Sequence, residues 1–428
     1  MAQTLKFGNG TWATKKGSIL AYNDENENYK PLPFNYTGFG KGTRVNKEGL
    51  IEVVENDRPR IDYLDSEDGV LLLEPEATNL VTYSEDFSQW DMSNTSYSPN
   101  QTISPDGTLN SAKIIPNTNN VKHYTYFQGS AMNNNQSWSI FVKAENYSNI
   151  SITSGSISTG FEVKFDLSLG TVHSVQGAAY ESSKIESIGN GWYRCSVVSS
   201  RTSGSWLQIY VLDDSHNSIF QGDGTSGIYL WGGQTVNSSV TTSYIPTSGS
   251  TVTRVQETAS GSGNSEVFND SEGVLFADIK GLVNGSTDRW IGINDGSIYN
   301  RIIIALTGVD NKLRFYSQGS TTLSYNNINI LDHTMDNKIA LVYSDSQDSV
   351  KIYANGFLSY NETSIPNFSG FKQLDFDNGG GVGEFHGKTK EIAYYDTVLT
   401  DLELETLTSY RSWLSMVKEL NLNVIYNG

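Results

Sequence analysis

Alternating hydrophobic and polar residues dominate the chain from Asn79 to about residue 254. Every second side chain is apolar in 161–167, and shorter runs at 138–142 and 207–211 repeat the pattern. Successive residues of a strand point to opposite faces, so a period of two predicts strands with one face in a core. Gly, Ser and Asn turns separate these runs. The pattern therefore predicts a sandwich of antiparallel strands for this region.

A second β-rich region extends from residue 267 to about 396. Its nearly continuous apolar runs cover 274–279, 301–306, 312–316 and 338–343. Runs without polar alternation predict strands that are covered on both faces. Asn355-Gly356 stands between two apolar runs, which is the pattern of a tight β-hairpin. The Ser-, Gly- and Thr-rich segment 248–265 predicts a linker between the two regions.

The first 85 residues have a different composition, with 9 Lys and Arg and 14 Asp and Glu. Their short apolar pieces, such as 49–54 and 69–73, can pair as strands but cannot enclose a core alone. We predict an extended arm over 1–85 that gains order by packing on a partner subunit or on the next domain. A small independent β-domain is the alternative. The predicted domains are then 1–85, 86–255 and 256–428.

One helix is predicted near the C-terminal end. Thr400 and Glu403 form a capping box, in which each side chain binds the backbone N–H of the other. The apolar stripe that follows at helical spacing consists of Leu404, Leu407, Tyr410, Leu414 and Val417. This stripe is longer than closing one sandwich requires. It can pack on its own domain or meet copies of itself around a symmetry axis, and the sequence leaves both open.

Charge and composition exclude several classes of function. The 428 residues include 47 Asp and Glu against 29 Lys and Arg, which gives a net charge of −18. So acidic a chain is repelled by nucleic acid and by anionic membrane surfaces. No apolar run approaches the roughly 20 residues of a membrane span, so no membrane insertion is expected. We also expect no secretion signal, and the single cysteine, Cys195, excludes an internal disulfide.

Three groups of segments carry a family resemblance. The first comprises TRVNKEGLIEVV (43–54), RPRIDY (58–63), LLLEPEATNL (71–80) and YSEDF (83–87). The second comprises GWYR (191–194), GIYLWGGQ (227–234), TSYIPT (242–247) and TVTR (251–254). The third comprises VKIYANG (350–356), FHG (385–387), EIAYY (391–395) and LTDLEL (399–404). Together they resemble tailed-phage virion fibre proteins.

The resemblance implies an all-β protein of two tandem β-sandwiches. The first would be a jelly roll similar to carbohydrate-binding modules, and the second a concanavalin A-like or laminin G-like lectin domain closed by the C-terminal helix. It also implies a place on the virion surface, in a head or tail fibre assembled in the cytoplasm of the bacterial host. The implied partners are other virion proteins through the N-terminal arm, host-surface glycans and further copies of the chain, with a trimer favoured.

The sequence offers little for catalysis. Glycosidases place an acid and a second carboxylate on one face of a site, and no Glu-x-Asp-x-Glu run occurs. Asp375 and Asp377 share a strand face, but a glycine-rich segment follows, so we predict a solvated turn. The expected protein is not an enzyme, and a glycan depolymerase is the alternative.

No metal or other cofactor is predicted. The five histidines lie far apart in the sequence and give no local ligand pair. A structural calcium bound by loop carboxylates remains an alternative. Its candidate ligands are Asp213, Asp214, Asp223, Asp295 and Asp310.

Sugar binding requires aromatic faces for the C–H patches of a pyranose and polar side chains for its hydroxyls. Trp192 and Trp231 lie within strand-like motifs and are predicted to pack in a core. The candidate sugar-binding residues are Trp206, Tyr210, Tyr124 and Tyr126 in the first sandwich and Trp290, Asn294, Tyr299 and Tyr316 in the second. For each of them, packing is the competing interpretation. The predicted function is non-enzymatic adhesion to host-surface glycans, and the alternative is a purely structural capsid or tail decoration protein.

Overall fold

The fold is nearly all β. A computed structural model of the chain describes residues 3–410 apart from 24–26, 129–134, 202–205, 284, 286, 320–321 and 364–365. In this described part, one α-helix and one short 3-10 helix accompany 34 strands. No helix there has the length and apolar character needed to cross a membrane. The prediction of an all-β protein of β-sandwiches is confirmed.

The strands are short and joined mostly by tight turns. Those that begin before residue 100 are β1 (Leu5–Gly8), β2 (Ala13–Lys15), β3 (Ser18–Asn23), β4 (Asn28–Thr37), β5 (Thr43–Val45), β6 (Ile51–Val53), β7 (Arg60–Asp62), β8 (Val70–Leu73), β9 (Ala77–Asn79), β10 (Asp91–Ser93) and β11 (Thr95–Ser98). Those of the middle region are β12 (Ala112–Pro116), β13 (Asn120–Gln128), β14 (Gln136–Lys143), β15 (Asn149–Ser154), β16 (Phe161–Asp166), β17 (Thr171–Gln176), β18 (Tyr180–Gly189), β19 (Trp192–Ser199), β20 (Trp206–Leu212), β21 (Ile219–Gln221), β22 (Ile228–Val236), β23 (Val252–Arg254) and β24 (Thr258–Ser260).

The remaining elements follow residue 270. They are β25 (Glu272–Gly281), β26 (Arg289–Asn294), β27 (Arg301–Leu306), β28 (Lys312–Gln318), β29 (Thr322–Asn329), β30 (Asn337–Ser344), β31 (Ser349–Ala354), β32 (Phe357–Thr363), β33 (Gln373–Asp375), β34 (Gly387–Tyr395) and the helix α1 (Asp401–Thr408). The 3-10 helix covers Phe87–Gln89.

The chain divides into two compact units that are discontinuous in sequence. Unit 1 comprises Met1–Gly38, Asn56–Pro75 and Gln256–Gly428, and unit 2 comprises Phe39–Glu55 and Glu76–Val255. The segment 1–85, predicted as an arm, is therefore divided between the two units. Its part in attachment or assembly stays a prediction.

Unit 2 is the sandwich predicted from the alternating pattern. Its two main sheets have the strand orders β10-β13-β20-β15-β16-β17, with β21 beside β13, and β11-β12-β22-β14-β19-β18. The apolar positions of 161–167 are at most 3% exposed and lie in one core with those of β14 and β20. Trp192 and Trp231 are each 1% exposed, and Cys195 is fully buried, so their predicted burial is confirmed.

Unit 1 is the second sandwich, and strands from the N-terminal segment complete it. One sheet has the order β24-β4-β3-β1-β34-β25-β30-β31-β32 with β2, β7 and β8 attached, and the other has β29-β28-β27-β26-β33. Leu5, Phe7 and Phe34 from the N-terminal segment are 0–1% exposed in its core. The reason is the pairing of β1 with β34 over four residues, which makes the start of the chain an interior strand.

The large sheet of unit 1 is covered on both faces, as its continuous apolar runs predict. Val274 and Phe276 of β25 face away from the main core and form a second cluster with Leu404 of α1. The capping box between Thr400 and Glu403 is present. The positions Leu414 and Val417 of the predicted helical stripe lie outside the described residues. Asn355 and Gly356 both have positive φ and join β31 to β32 as predicted.

The segment 248–265 is not a solvated linker, which corrects the prediction from its composition. It contributes β23, which pairs with β9 in unit 2, and β24, which pairs with β4 in unit 1. Arg254 is 1% exposed and Glu257 3% exposed. Ser, Gly and Thr are typical of linkers, but here their small side chains fit closely paired strands.

Several motif residues of the resemblance have structural roles. In unit 2, the buried Tyr244 hydroxyl lies 2.6 Å from the Ser84 hydroxyl and donates to Glu85 at 2.8 Å. In unit 1, Arg60 Nε donates to Glu257 at 2.7 Å and an Nη atom lies 2.8 Å from Glu74. Buried polar groups need such partners because an unpaired one is costly. These motif residues therefore stabilise the fold.

Candidate functional site

Four aromatic side chains form a continuous ladder on the solvent face of the unit 2 sheet that contains β13 and β20. Tyr210 stacks on Tyr124 with ring centroids 4.6 Å apart, and Tyr126 stacks on Trp206 at 5.5 Å. Tyr124 and Tyr126 are joined at 6.0 Å along β13. The structure thus brings together all four candidates predicted for the first sandwich. We call this surface the aromatic ladder.

The register of two neighbouring strands builds the ladder. Tyr124 lies directly opposite Tyr210, while Tyr126 and Trp206 are diagonal neighbours. The residues between them point inward, so that Phe127 and Ile209 are buried in the core. Alternation fixes the four rings on one side of the sheet.

The rings remain accessible. Trp206, the last ring of the ladder, is 40% exposed, and the three tyrosines are partly exposed. Exposed aromatic clusters of this kind mark binding surfaces more often than isolated apolar residues do.

Charged and polar groups border the aromatic ladder. The Lys122 ammonium lies 5.7 Å from the centroid of the Tyr210 ring. Burial, with lesser contributions from Tyr124 and Glu162, raises the pKa of Tyr210 to about 12. Burial and then the carboxylate of Asp91 raise the pKa of Tyr126. Both hydroxyls therefore stay protonated at neutral pH; that of Tyr126 is hydrogen-bonded to Asp91, and that of Tyr210 can donate to a ligand.

Two aromatic candidates of the second sandwich, Trp290 and Tyr316, have ring contacts with other side chains of that sandwich. Trp290 and Tyr316 meet edge to face at 6.2 Å. The Arg301 guanidinium lies 4.6 Å from the Tyr316 ring centroid, and Arg314 lies 5.6 Å from that of Trp290. These cation–π contacts cover ring faces of both residues that a sugar would need, whereas in the aromatic ladder Lys122 lies over the Tyr210 ring. Tyr299 lies in the turn between β26 and β27 and is 70% exposed.

Asn294 does not meet the expectation of a surface ligand. It is 1% exposed, its amide nitrogen donates to Asp375 at 2.7 Å, and its amide oxygen accepts from the Gly296 N–H at 2.7 Å. Both polar atoms thus have partners within the protein. No local pattern could predict this burial, because the acceptor Asp375 lies 81 residues away along the chain.

Asp375 and Asp377 are buried, which corrects the prediction of a solvated turn. They are 1% and 8% exposed. The Asp375 carboxylate accepts from the Gly261 N–H and from the Asn294 and Gln373 amides. Asp377 accepts the Gly379 N–H at 2.6 Å. Burial and then Asp375 raise the pKa of Asp377 to about 6. A carboxylate with as many protein partners as Asp375 is poorly placed to act as a nucleophile.

Folding brings together two histidines that the sequence places 43 positions apart. The rings of His173 and His216 stack with centroids 3.6 Å apart, and His216 Nε2 lies 3.5 Å from Asp166. In stacked imidazoles the nitrogen lone pairs lie in parallel planes and do not converge on one ion. Across the described ranges, no group of three or more His, Cys, Asp or Glu is placed to hold a metal ion. The alternative of a structural calcium stays a prediction.

Comparison with known proteins gives weak structural similarity alone. No protein-family model matches the sequence, and no curated protein matches it. Part of the chain is similar to the CBM40 module of Ruminococcus gnavus IT-sialidase bound to α2,3-sialyllactose. That match has 15% identity, covers 35% of this chain and 93% of that one, and has a TM-score of 0.30.

Two further solved structures show the same level of similarity. Domain 4 of AbnA, a GH43 extracellular arabinanase from Geobacillus stearothermophilus in complex with arabinotriose, matches at 17% identity over 36% of this chain and 73% of that one, with a TM-score of 0.30. A point mutant of NanB sialidase from Streptococcus pneumoniae matches at 14% identity over 33% of this chain and 24% of that one, with a TM-score of 0.29. TM-scores this low do not bear on what the chain does.

Proposed function

We propose that the chain binds carbohydrate without modifying it, through the aromatic ladder of Tyr124, Tyr126, Trp206 and Tyr210. The observation that carries this proposal is the geometry of the ladder itself. Four rings are held in contact on the solvent face of one sheet. Ring surfaces bind the C–H patches of pyranoses, and the tyrosine hydroxyls supply donors for sugar oxygens.

The setting of this function would be a phage virion surface. There the chain would be part of a head or tail fibre that adheres to host-surface glycans, attached to other virion proteins through its N-terminal segment. The support for this setting is the resemblance of the motifs quoted above. A chain with a net charge of −18 suits a role away from nucleic acid.

The proposal excludes bond cleavage. Its support is the hydrogen bonding of the two buried aspartates, in which both carboxylate oxygens of Asp375 and one of Asp377 accept protein donors. We expect no release of reducing ends from any glycan that the protein retains. Release that survives Trp206→Ala and disappears on Asp377→Asn would favour a depolymerase instead.

The test is binding of the full chain to an array of bacterial and mammalian glycans. We expect Trp206→Ala to weaken binding to the strongest array glycan at least about tenfold, because it removes the largest and most exposed ring of the ladder. The matched control is Tyr97→Ala, because Tyr97 is a 36% exposed aromatic residue on the other sheet of unit 2. Equal binding by Trp206→Ala and the wild type would contradict the ladder as the site. Absence of any binding would favour a purely structural protein.

A further inference from the structure

Polar residues of β15, β16 and β17 continue the sheet face on which the aromatic ladder lies. On β15, Ser151 lies opposite Tyr210 of β20 on one side and Lys164 of β16 on the other. Residues directly opposite one another point to the same side of a sheet. Two residues further along β15, Thr153 lies opposite Gln208 of β20 on one side and Glu162 of β16 on the other. The face therefore changes from aromatic to polar across β15.

Two of these residues, Glu162 on β16 and Gln176 on β17, are hydrogen-bonded to each other, and we call them the polar pair. The Gln176 amide donates to one Glu162 carboxylate oxygen, and the Ser151 hydroxyl lies 3.5 Å from the other. Ser151 is fully buried although it is on the solvent face, because its taller neighbours close over it. The carboxylate therefore lies two strands from Tyr210, with Ser151 of β15 between them. Their proximity agrees with the contribution of Glu162 to the raised pKa of Tyr210.

The polar pair retains capacity for further hydrogen bonds. A carboxylate offers about four lone-pair sites, and two protein donors approach that of Glu162. Beside it, the Thr153 hydroxyl is buried and has no hydrogen-bond partner among the residues that the structure describes. An unpaired hydroxyl favours a ligand or water that can satisfy it.

Of the two lysines on this face, Lys164 is directed away from the aromatic ladder and Lys122 lies on it. The Lys164 ammonium donates to the His216 carbonyl at 2.9 Å, and Lys122 lies over the Tyr210 ring. Asp91, which pairs with Tyr126 across β10 and β13, adds a second carboxylate at the other side of the ladder. A ligand that spans the ladder therefore meets a carboxylate at either side.

We propose that Glu162 and Gln176 bind the hydroxyl edge of the saccharide that stacks on the aromatic ladder, and that the ligands are neutral glycans. This inference rests on the proposed function. Carboxylate and amide oxygens accept hydrogen bonds from sugar hydroxyls, and the amide N–H group can donate to a sugar oxygen. A sialic acid, uronic acid or phosphate group would instead meet the carboxylates of Glu162 and Asp91, whose two negative charges outweigh the one positive charge of Lys122 over Tyr210.

The test uses a glycan array in which neutral, sialylated, uronic-acid-containing and phosphorylated glycans form separate arms. We expect the strongest binding in the neutral arm. Glu162→Gln should weaken it about tenfold or more, as loss of a charged hydrogen-bond acceptor does. The matched control is Glu186→Gln, a partly exposed carboxylate on the other sheet of unit 2 that should leave binding unchanged. Thermal melts of each variant establish that it is folded.

The outcomes separate this inference from the proposed function. Strongest binding in an acidic arm, lost on Trp206→Ala, would overturn the ligand class and leave the ladder as the site. Neutral binding that Trp206→Ala abolishes and Glu162→Gln leaves unchanged would overturn the role of the polar pair. No binding in any arm by the folded full chain would overturn the proposed function and this inference together.

Discussion

Burial decides the role of each polar or aromatic residue in this protein. Tyr244 and Tyr126 have the same side chain, but Tyr244 is 2% exposed and bonded to Ser84, whereas Tyr126 stands partly exposed in the aromatic ladder. The first contributes to stability and the second is available to a ligand. Residue type alone could not separate the two roles. Burial depends on which face of the strand a side chain occupies and on where that strand lies in its sheet.

Asp377 gives a prediction about pH. Its pKa of about 6 in the folded state exceeds the value of about 3.9 expected for an unfolded chain. The folded state therefore binds more protons between these values, and the free energy of unfolding falls as pH rises from about 4 to about 6. Asp377→Asn keeps an oxygen acceptor for the Gly379 N–H and removes the charge. Allowing for solvent screening, we expect it to stabilise the protein by about 1–2 kcal/mol at pH 7.5.

Urea unfolding at two pH values checks this expectation. At pH 4 the wild-type carboxyl is mostly protonated in the folded state, so the variant and the wild type should differ by less than about 0.5 kcal/mol. The same difference at pH 4 and 7.5, or a loss of stability at pH 7.5, would contradict the assignment of the raised pKa to Asp377.

At the scale of elements, regular patterns predicted the structure where neighbours in sequence are neighbours in space. The alternation in 161–167, the hairpin at Asn355 and the capping box at Thr400 depend on local spacing, and all three are present. The four rings of the ladder were named from the sequence. Their contact was not predicted, because it depends on the register of β13 against β20, which are separated along the chain by strands of both sheets.

The elements about which composition says least pair over long distances. β1 pairs with β34 and β24 pairs with β4, at separations of more than 200 residues. No local period reveals such partners, so the N-terminal segment was predicted as an arm and 248–265 as a linker. The stacked pair His173 and His216 escaped notice for the same reason.

The place of β1 in the core of unit 1 gives a second prediction. Phe7 is 1% exposed and its ring centroid lies 4.5 Å from that of Phe34. Phe7→Ala should therefore lower the free energy of unfolding by about 3–5 kcal/mol, through lost apolar burial and the cavity left behind. Urea unfolding followed by circular dichroism measures the change. Lys6→Ala, one residue earlier and on the opposite face of the strand, is the matched control, with an expected change within about 1 kcal/mol. Equal effects of the two substitutions would contradict a core position for this strand.

For the whole molecule, oligomeric state determines how useful a weak site can be. The aromatic ladder lies on the open face of a sheet, where a sugar is covered on one side, so the affinity of a single site is expected to be low. Several sites on one particle convert weak single contacts into lasting adhesion, because the second contact forms within the same complex. This argument favours an assembly over a single chain for the proposed function.

We therefore predict a homotrimer, as the resemblance to fibre proteins implies. Light scattering on the full chain should give three times the 47.2 kDa of one chain. On surfaces densely coated with the strongest array glycan, dissociation should be at least about a hundredfold slower than on sparsely coated ones, where only one site can bind at a time. Trp206→Ala should abolish retention on both surfaces while leaving the mass unchanged, because the ladder is assigned to ligand binding and not to assembly. A mass of 47.2 kDa at every concentration tested would contradict the trimer. Density-independent dissociation by a trimer would instead show that its sites do not act together.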